Sequence, residues 1–126
     1  MVLSILALVF MFLHCYFDAL RDVMTWHCQK YWSGVEWHWI KLASETCAVL
    51  AGAFLVASLW YTVIWKCAVS VSFYILYRWG CSELSFHLHD KNYGNSGKAV
   101  MFLTEIGAVG VMVAAGGIFL FLGAQL

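Results

Sequence analysis

Asp18, Glu45, Glu83 and Glu105 are four carboxylates, each set about one helical turn inside an end of an otherwise apolar stretch. A carboxylate held in hydrocarbon costs on the order of 2.5–3.5 kcal/mol, so each needs a partner or a task. Histidines stand at helical spacings from two of them. His38 precedes Glu45 by seven residues and His87 follows Glu83 by four, offsets that return to one face of a helix. Carboxylates and imidazoles projecting into a four-helix bundle are the means by which di-iron and di-manganese sites are built. Asp18, His38, Glu45, Glu83, His87 and Glu105 are therefore the expected metal ligands, with iron, manganese or zinc as the cofactor. The Glu-x-x-His pairs of ferritin-like proteins are absent. Asp22 and Lys41 are the candidate catalytic residues. Asp18 and Asp22 beside His27 suit acid–base or metal-assisted hydrolysis of a lipid headgroup, and Lys41 or Arg78 suits an anionic group. His38 and His87, on different helices, offer a pair of axial ligands for a haem.

A bland reading competes with each of these. Arg21, Lys41, Arg78 and Lys98 lie at the level of the four carboxylates. Pairing with them would turn the cluster into a structural ion-pair and anchoring network, with the histidines and tryptophans as interfacial residues. Taken alone, the His87-Leu88-His89 triplet is a weak signal, because the two rings diverge on a helix.

The elements that would position these groups are membrane spans. The chain has 126 residues, of which 63% are hydrophobic and 11% charged, with no proline; its mean hydropathy is +0.81. Soluble domains carry about a quarter charged residues, so the bilayer is the fitting solvent here. At about 1.5 Å per residue, a stretch of about 20 apolar residues crosses the hydrocarbon core. Four such stretches fit, at about 2–22, 41–61, 67–87 and 99–122. The expected fold is all-α, an integral membrane four-helix bundle of four spans forming one domain over residues 1–126. No glycine or proline separates the second and third stretches, and a tight turn is expected near 61–66, flanked by Trp60, Tyr61 and Trp65 as an interfacial belt. Residues 29–34 and 90–97 read as connections. The first stretch lacks a basic leader and a small-residue cleavage pattern, so a retained span is expected rather than a signal peptide.

Five cysteines without a Cys-x-x-Cys pair argue against a disulfide framework and a cysteine-bound zinc. Seven basic against seven acidic residues leave no basic face for nucleic acid. Basic residues gather around the first and third connections, which places those connections in the cytoplasm and both termini outside it, in a bacterial inner membrane. The lipid bilayer is the expected partner. Small-residue faces on the second stretch (Ala48, Gly52, Ala53, Ala57) and the fourth (Gly107, Gly110, Ala114, Gly117) suit a homo-oligomer or a membrane-complex partner.

The runs Phe17 to His27 (F-D-x-x-x-D-x-x-x-x-H), Trp37 to Lys41 (W-H-x-x-K) and Ser82 to His87 (S-E-L-x-F-H) resemble a group of small integral membrane proteins of bacterial and phage genomes. The resemblance covers about the first two-thirds of the chain and brings no activity with it. It implies a bacterial or viral origin and draws attention to Asp18, Asp22, His27, His38, Lys41, Glu83 and His87. The expected function is a metal-dependent membrane enzyme acting on a lipid or other hydrophobic substrate. The first alternative is a non-enzymatic oligomeric protein, pore-like or holin-like, or an accessory subunit. The second is a haem-binding electron-transfer bundle.

Overall fold

Apolar and small residues recur every three or four positions through the first twenty-odd residues, and that period winds the chain into a helix with one buried stripe. In the computed structural model, which describes residues 1–27, 35–92 and 98–124, this helix is α1, Val2–His27. It is followed by α2, Val35–Leu59, α3, Ile64–Asn92, and α4, Lys98–Ala124. The fold is all-α, a four-helix bundle. Three of its helices are long and apolar enough to cross a membrane: α1 over Val2–Trp26, α2 over Val35–Leu59 and α4 over Glu105–Gly123.

The helices alternate in direction, but their order in space is not that of a closed square. α1 packs along α2 on one side and along α3 on the other, and α3 packs along α4. α4 meets α1 only slightly, near Leu8 and Ser4, and α2 barely meets α3 or α4. Ala7, Leu8, Met11 and Cys15 of α1 join Ala51, Tyr74, Tyr77, Cys81, Ala115 and Phe119 in the buried core. Phe10 stacks on Phe54 at 5.6 Å to hold α2 in place. Ser4 on α1 stands beside Gly123 on α4, so both chain ends lie at the same end of the bundle.

The turn between α2 and α3 occupies 60–63, within and just before the expected 61–66. Aromatic and β-branched residues (Trp60, Tyr61, Thr62, Val63) are poor helix formers, and the helix breaks where four of them follow in a row. The Thr62 N–H donates to the Leu59 carbonyl at 2.9 Å, and the Cys67 N–H opens α3 by donating to Val63 at 3.0 Å. Trp60, Tyr61 and Trp65 are all exposed around it.

α3 is built inside out. Its buried residues are Ser70, Tyr74, Tyr77, Gly80, Cys81, Ser85, His89 and Asp90, whereas Val69, Ile75, Leu76, Trp79, Phe86 and Leu88 face outward. Two of the inward groups tie α3 to α1. The Tyr74 hydroxyl donates to the Ala7 carbonyl at 3.1 Å and the Tyr77 hydroxyl to the Leu8 carbonyl at 3.0 Å. Interhelical bonds of this kind are worth about 0.6 kcal/mol on average. Tyr77→Phe, which keeps the packing and removes the donor, is expected to lower stability by about that amount. Thermal unfolding in detergent micelles would measure it.

The helices extend further than the spans anticipated from hydropathy. α1 runs to His27 rather than ending near Asp22, and α3 runs to Asn92. The His87–Asp90 segment is therefore helical. The expected connections at 29–34 and, beyond Asn92, at 93–97 lie outside the described residues.

Candidate functional site

α1 brings Asp18, Arg21 and Asp22 onto one side because offsets of three and four share a helical face. Arg21 closes on both acids: its Nη2 lies 2.8 Å from Asp18 Oδ1 and 2.9 Å from Asp22 Oδ1, with Nε at 3.2 Å from the latter. All three side chains remain partly exposed, so each pair is worth at most about 1 kcal/mol. On α3 the same spacing sets His87 Nε2 3.5 Å from Glu83 Oε2. Because α1 and α3 run parallel and in contact, the two groups face one another. Asp18, Asp22, Ser82 and Glu83 line a single cleft of about 190 Å³, with Ala19 and Phe86 as its apolar walls. Three carboxylates and a hydroxyl thus border one cleft from two helices, with the Arg21 guanidinium held by two of the acids.

The seam between α1 and α2 adds a second polar chain. The His14 Nδ1 lies 3.0 Å from both the carbonyl and the hydroxyl oxygens of Ser44. The Ser44 hydroxyl in turn donates to Asp18 Oδ1 at 3.5 Å. Ser44 is fully buried, so it links Asp18 to the interior of the bundle. Beyond it, the Trp37 Nε1–H donates to Thr25 Oγ1 at 3.0 Å, and Lys41 Nζ sits 5.7 Å over the Trp37 ring.

The other expected ligands stand apart from the cleft. Glu45 is at the level of Asp18 but turns outward, its side chain 61% exposed and 3.8 Å from Lys41 Nζ. His38 is exposed on the same helix, its ring edge-on to Trp37 at 5.1 Å. α2 carries both residues on the far side of α1 from α3, so neither His38 nor Glu45 lines the cleft. Glu105 is half-buried on α4, and its Oε1 is enclosed without a hydrogen-bond partner. The antiparallel register that sets Gly80 against Ala108 and Met112 puts Glu105 near the level of Ser85. The Nδ1 of His87 and the Nε2 of His89 are enclosed in the same way. His89 lies beyond the apolar stretch of α3 and packs on the Tyr16 ring at 4.6 Å. Burial lowers its pKa, partly opposed by a hydrogen bond to the Tyr16 backbone, so the neutral imidazole is favoured.

Ion pairing among these residues is within single helices: Arg21 with Asp18 and Asp22, Lys41 with Glu45, His87 with Glu83. Glu83 pairs with His87 and not with Arg78, which is exposed. Among the described residues no group of three or more His, Cys, Asp or Glu side chains is drawn close enough to hold a metal ion as they stand. The side chains of His27 and Lys98 fall outside what is described. Ser44 and Ser82 were not legible as site residues, because a serine among alanines and leucines reads as a small packing residue. Comparison with protein-family models, curated proteins and solved structures finds no match.

Proposed function

We propose that this chain is a four-span integral membrane enzyme that uses a divalent metal ion at the α1–α3 cleft to act on a lipid or another hydrophobic substrate. The carrying observation is the cleft itself: Asp18, Asp22 and Glu83 line it from two different helices at the end of the apolar region. Oxygen-rich donor sets suit hard or borderline cations such as magnesium or manganese, and His87 stands behind Glu83, its Nε2 3.5 Å from Glu83 Oε2. Such an ion would polarise a phosphoryl or carbonyl oxygen of a headgroup. Asp22, the most exposed acid of the cleft, is the general base in this reading, and Arg21 lies beside it to take an anionic oxygen. Lys41, Glu45 and His38 flank the cleft across the α1–α2 seam as interfacial groups.

The fourth span in this reading is α3. Its outward Val69, Ile75, Leu76 and Trp79 face lipid while serines, tyrosines and a cysteine face the core, an arrangement expected where the solvent is hydrocarbon. Inward polarity lowers its average hydropathy without making its surface polar. Arg78 reaches the boundary by snorkelling. Basic residues around the cleft end favour the cytoplasmic face of a bacterial inner membrane, with the two chain ends on the other side.

The test is turnover. Protein in phospholipid nanodiscs with Mn²⁺ is expected to release headgroup or modify the lipid, and Glu83→Gln is expected to reduce the rate at least tenfold at unchanged thermal stability. Equal rates in wild type, Glu83→Gln and chelator-treated protein would remove the enzyme reading.

One observation favours the non-enzymatic alternative. Gly107, Gly110 and Gly117 of α4 have open space around them, unlike Gly80 and Gly116, which are packed against neighbouring helices. An open glycine face suits a second helix, as in an oligomer or a membrane complex. Under that reading the cleft acids and Arg21 are a structural network, and the oligomeric state in mild detergent is the discriminating measurement.

A further inference from the structure

The end of the bundle opposite the cleft holds a second cavity, of about 240 Å³, between the start of α1, the α2–α3 turn and the end of α4. Ser4, Ser58, Tyr61 and Thr62 bring four hydroxyls to its lining, with Leu3 and Gly123 among the remaining walls. Ser4 is almost wholly buried. The Ser58 hydroxyl is committed to the Leu55 carbonyl at 2.8 Å. Thr62 Oγ1 is enclosed and has no partner within the protein. A buried hydroxyl left without a partner costs about 1–3 kcal/mol, so one set beside a cavity is placed to donate to an atom that occupies it.

Charge narrows the ligand. All seven acidic residues (Asp18, Asp22, Glu36, Glu45, Glu83, Asp90 and Glu105) lie at or toward the cleft end, whereas Lys66 stands at this one, its Nζ 5.7 Å over the Trp65 ring. Hydroxyl donors with no acidic side chain among the described residues of the lining, at the bundle end that carries Lys66 and the exposed Trp60, Tyr61 and Trp65, match the headgroup level of a bilayer. Gly123 keeps the cavity open, since a Cβ there would come within 2.9 Å of Ser4 Oγ.

We infer that this cavity is a phosphate-binding site, with Thr62 Oγ1 as a donor to a phosphate oxygen, and that its ordinary occupant is the phosphodiester of a membrane phospholipid. The inference uses membrane embedding alone and is independent of the cleft. Its chemistry does not distinguish a lipid phosphate from a free one, so the experiment must.

The full-length protein, purified in mild detergent with phosphatidylglycerol or with uncharged diacylglycerol, is examined by native mass spectrometry for retained lipid. Wild type is expected to retain phosphatidylglycerol and not diacylglycerol. Thr62→Val, which conserves shape and removes no contact within the protein, is expected to weaken retention about fivefold, the worth of one hydrogen bond. Gly123→Ala, which narrows the cavity, is expected to weaken it as well, with helicity by circular dichroism unchanged in both. Failure of millimolar inorganic phosphate to compete assigns the site to lipid. Competition by it keeps the phosphate chemistry and overturns the lipid as occupant. Equal retention of diacylglycerol and phosphatidylglycerol, or a Thr62→Val protein indistinguishable from wild type, would overturn the phosphate site altogether.

Discussion

Replacing Gly80 with alanine is expected to lower stability by about 1–3 kcal/mol, read as a depressed thermal midpoint in detergent. A Cβ at this position would lie 2.8 Å from the Ala108 carbonyl oxygen and 3.1 Å from both Cβ and N of Met112. Two of those three atoms are backbone, which cannot rotate away, so α3 and α4 would have to part. The gain in helix propensity on replacing glycine, about 0.5–1 kcal/mol, does not offset that strain. Gly107→Ala and Gly110→Ala supply the contrast. Nothing lies within 4 Å of a Cβ at either site, so these are expected to be neutral or mildly stabilising. A Gly80→Ala protein as stable as the Gly110→Ala protein would contradict the described α3–α4 packing.

The second large effect is electrostatic. Arg21→Gln is expected to cost at most about 1 kcal/mol of stability, because its ion pairs with Asp18 and Asp22 are partly exposed. Its effect on the cleft is greater. The cleft would pass from three acids with one base to three acids alone, and removing a unit charge about 5 Å from a divalent cation is worth about 1.7 kcal/mol even at the dielectric of water, a gain in affinity of roughly fifteenfold. Manganese titration followed by electron paramagnetic resonance would measure it. If the carboxylates serve only as an ion-pair network, Arg21→Gln instead loses stability and gains no manganese affinity.

Much of this arrangement was legible in the sequence, and the limits have physical causes. Depth along a helix follows from counting residues, which is why Asp18, Glu45, Glu83 and Glu105 were expected near one level. Pairs at offsets of three and four, such as Lys41 with Glu45 and Glu83 with His87, could be read directly from helical periodicity. Which of the four carboxylates meet depends instead on the order of helices around the bundle, and no periodicity encodes that. α2 settles on the side of α1 away from α3, so Glu45 turns outward while Asp18 faces Glu83 across a cleft. The α3 helix runs on past the expected span end at 87, through His89 and Asp90 to Asn92, because a helix can continue into polar sequence that hydropathy does not register. The turn at 60–63 came from aromatic and β-branched residues, a weaker signal than the glycine and proline that usually mark one.

Anomalous scattering from crystals grown with manganese tests the metal cleft most directly. The expected result is one strong peak between α1 and α3, within coordination distance of Asp18 and Glu83, absent from equally ordered Glu83→Gln crystals. Crystals of wild-type protein that carry no peak in the cleft, or the same peak in the Glu83→Gln protein, would contradict it.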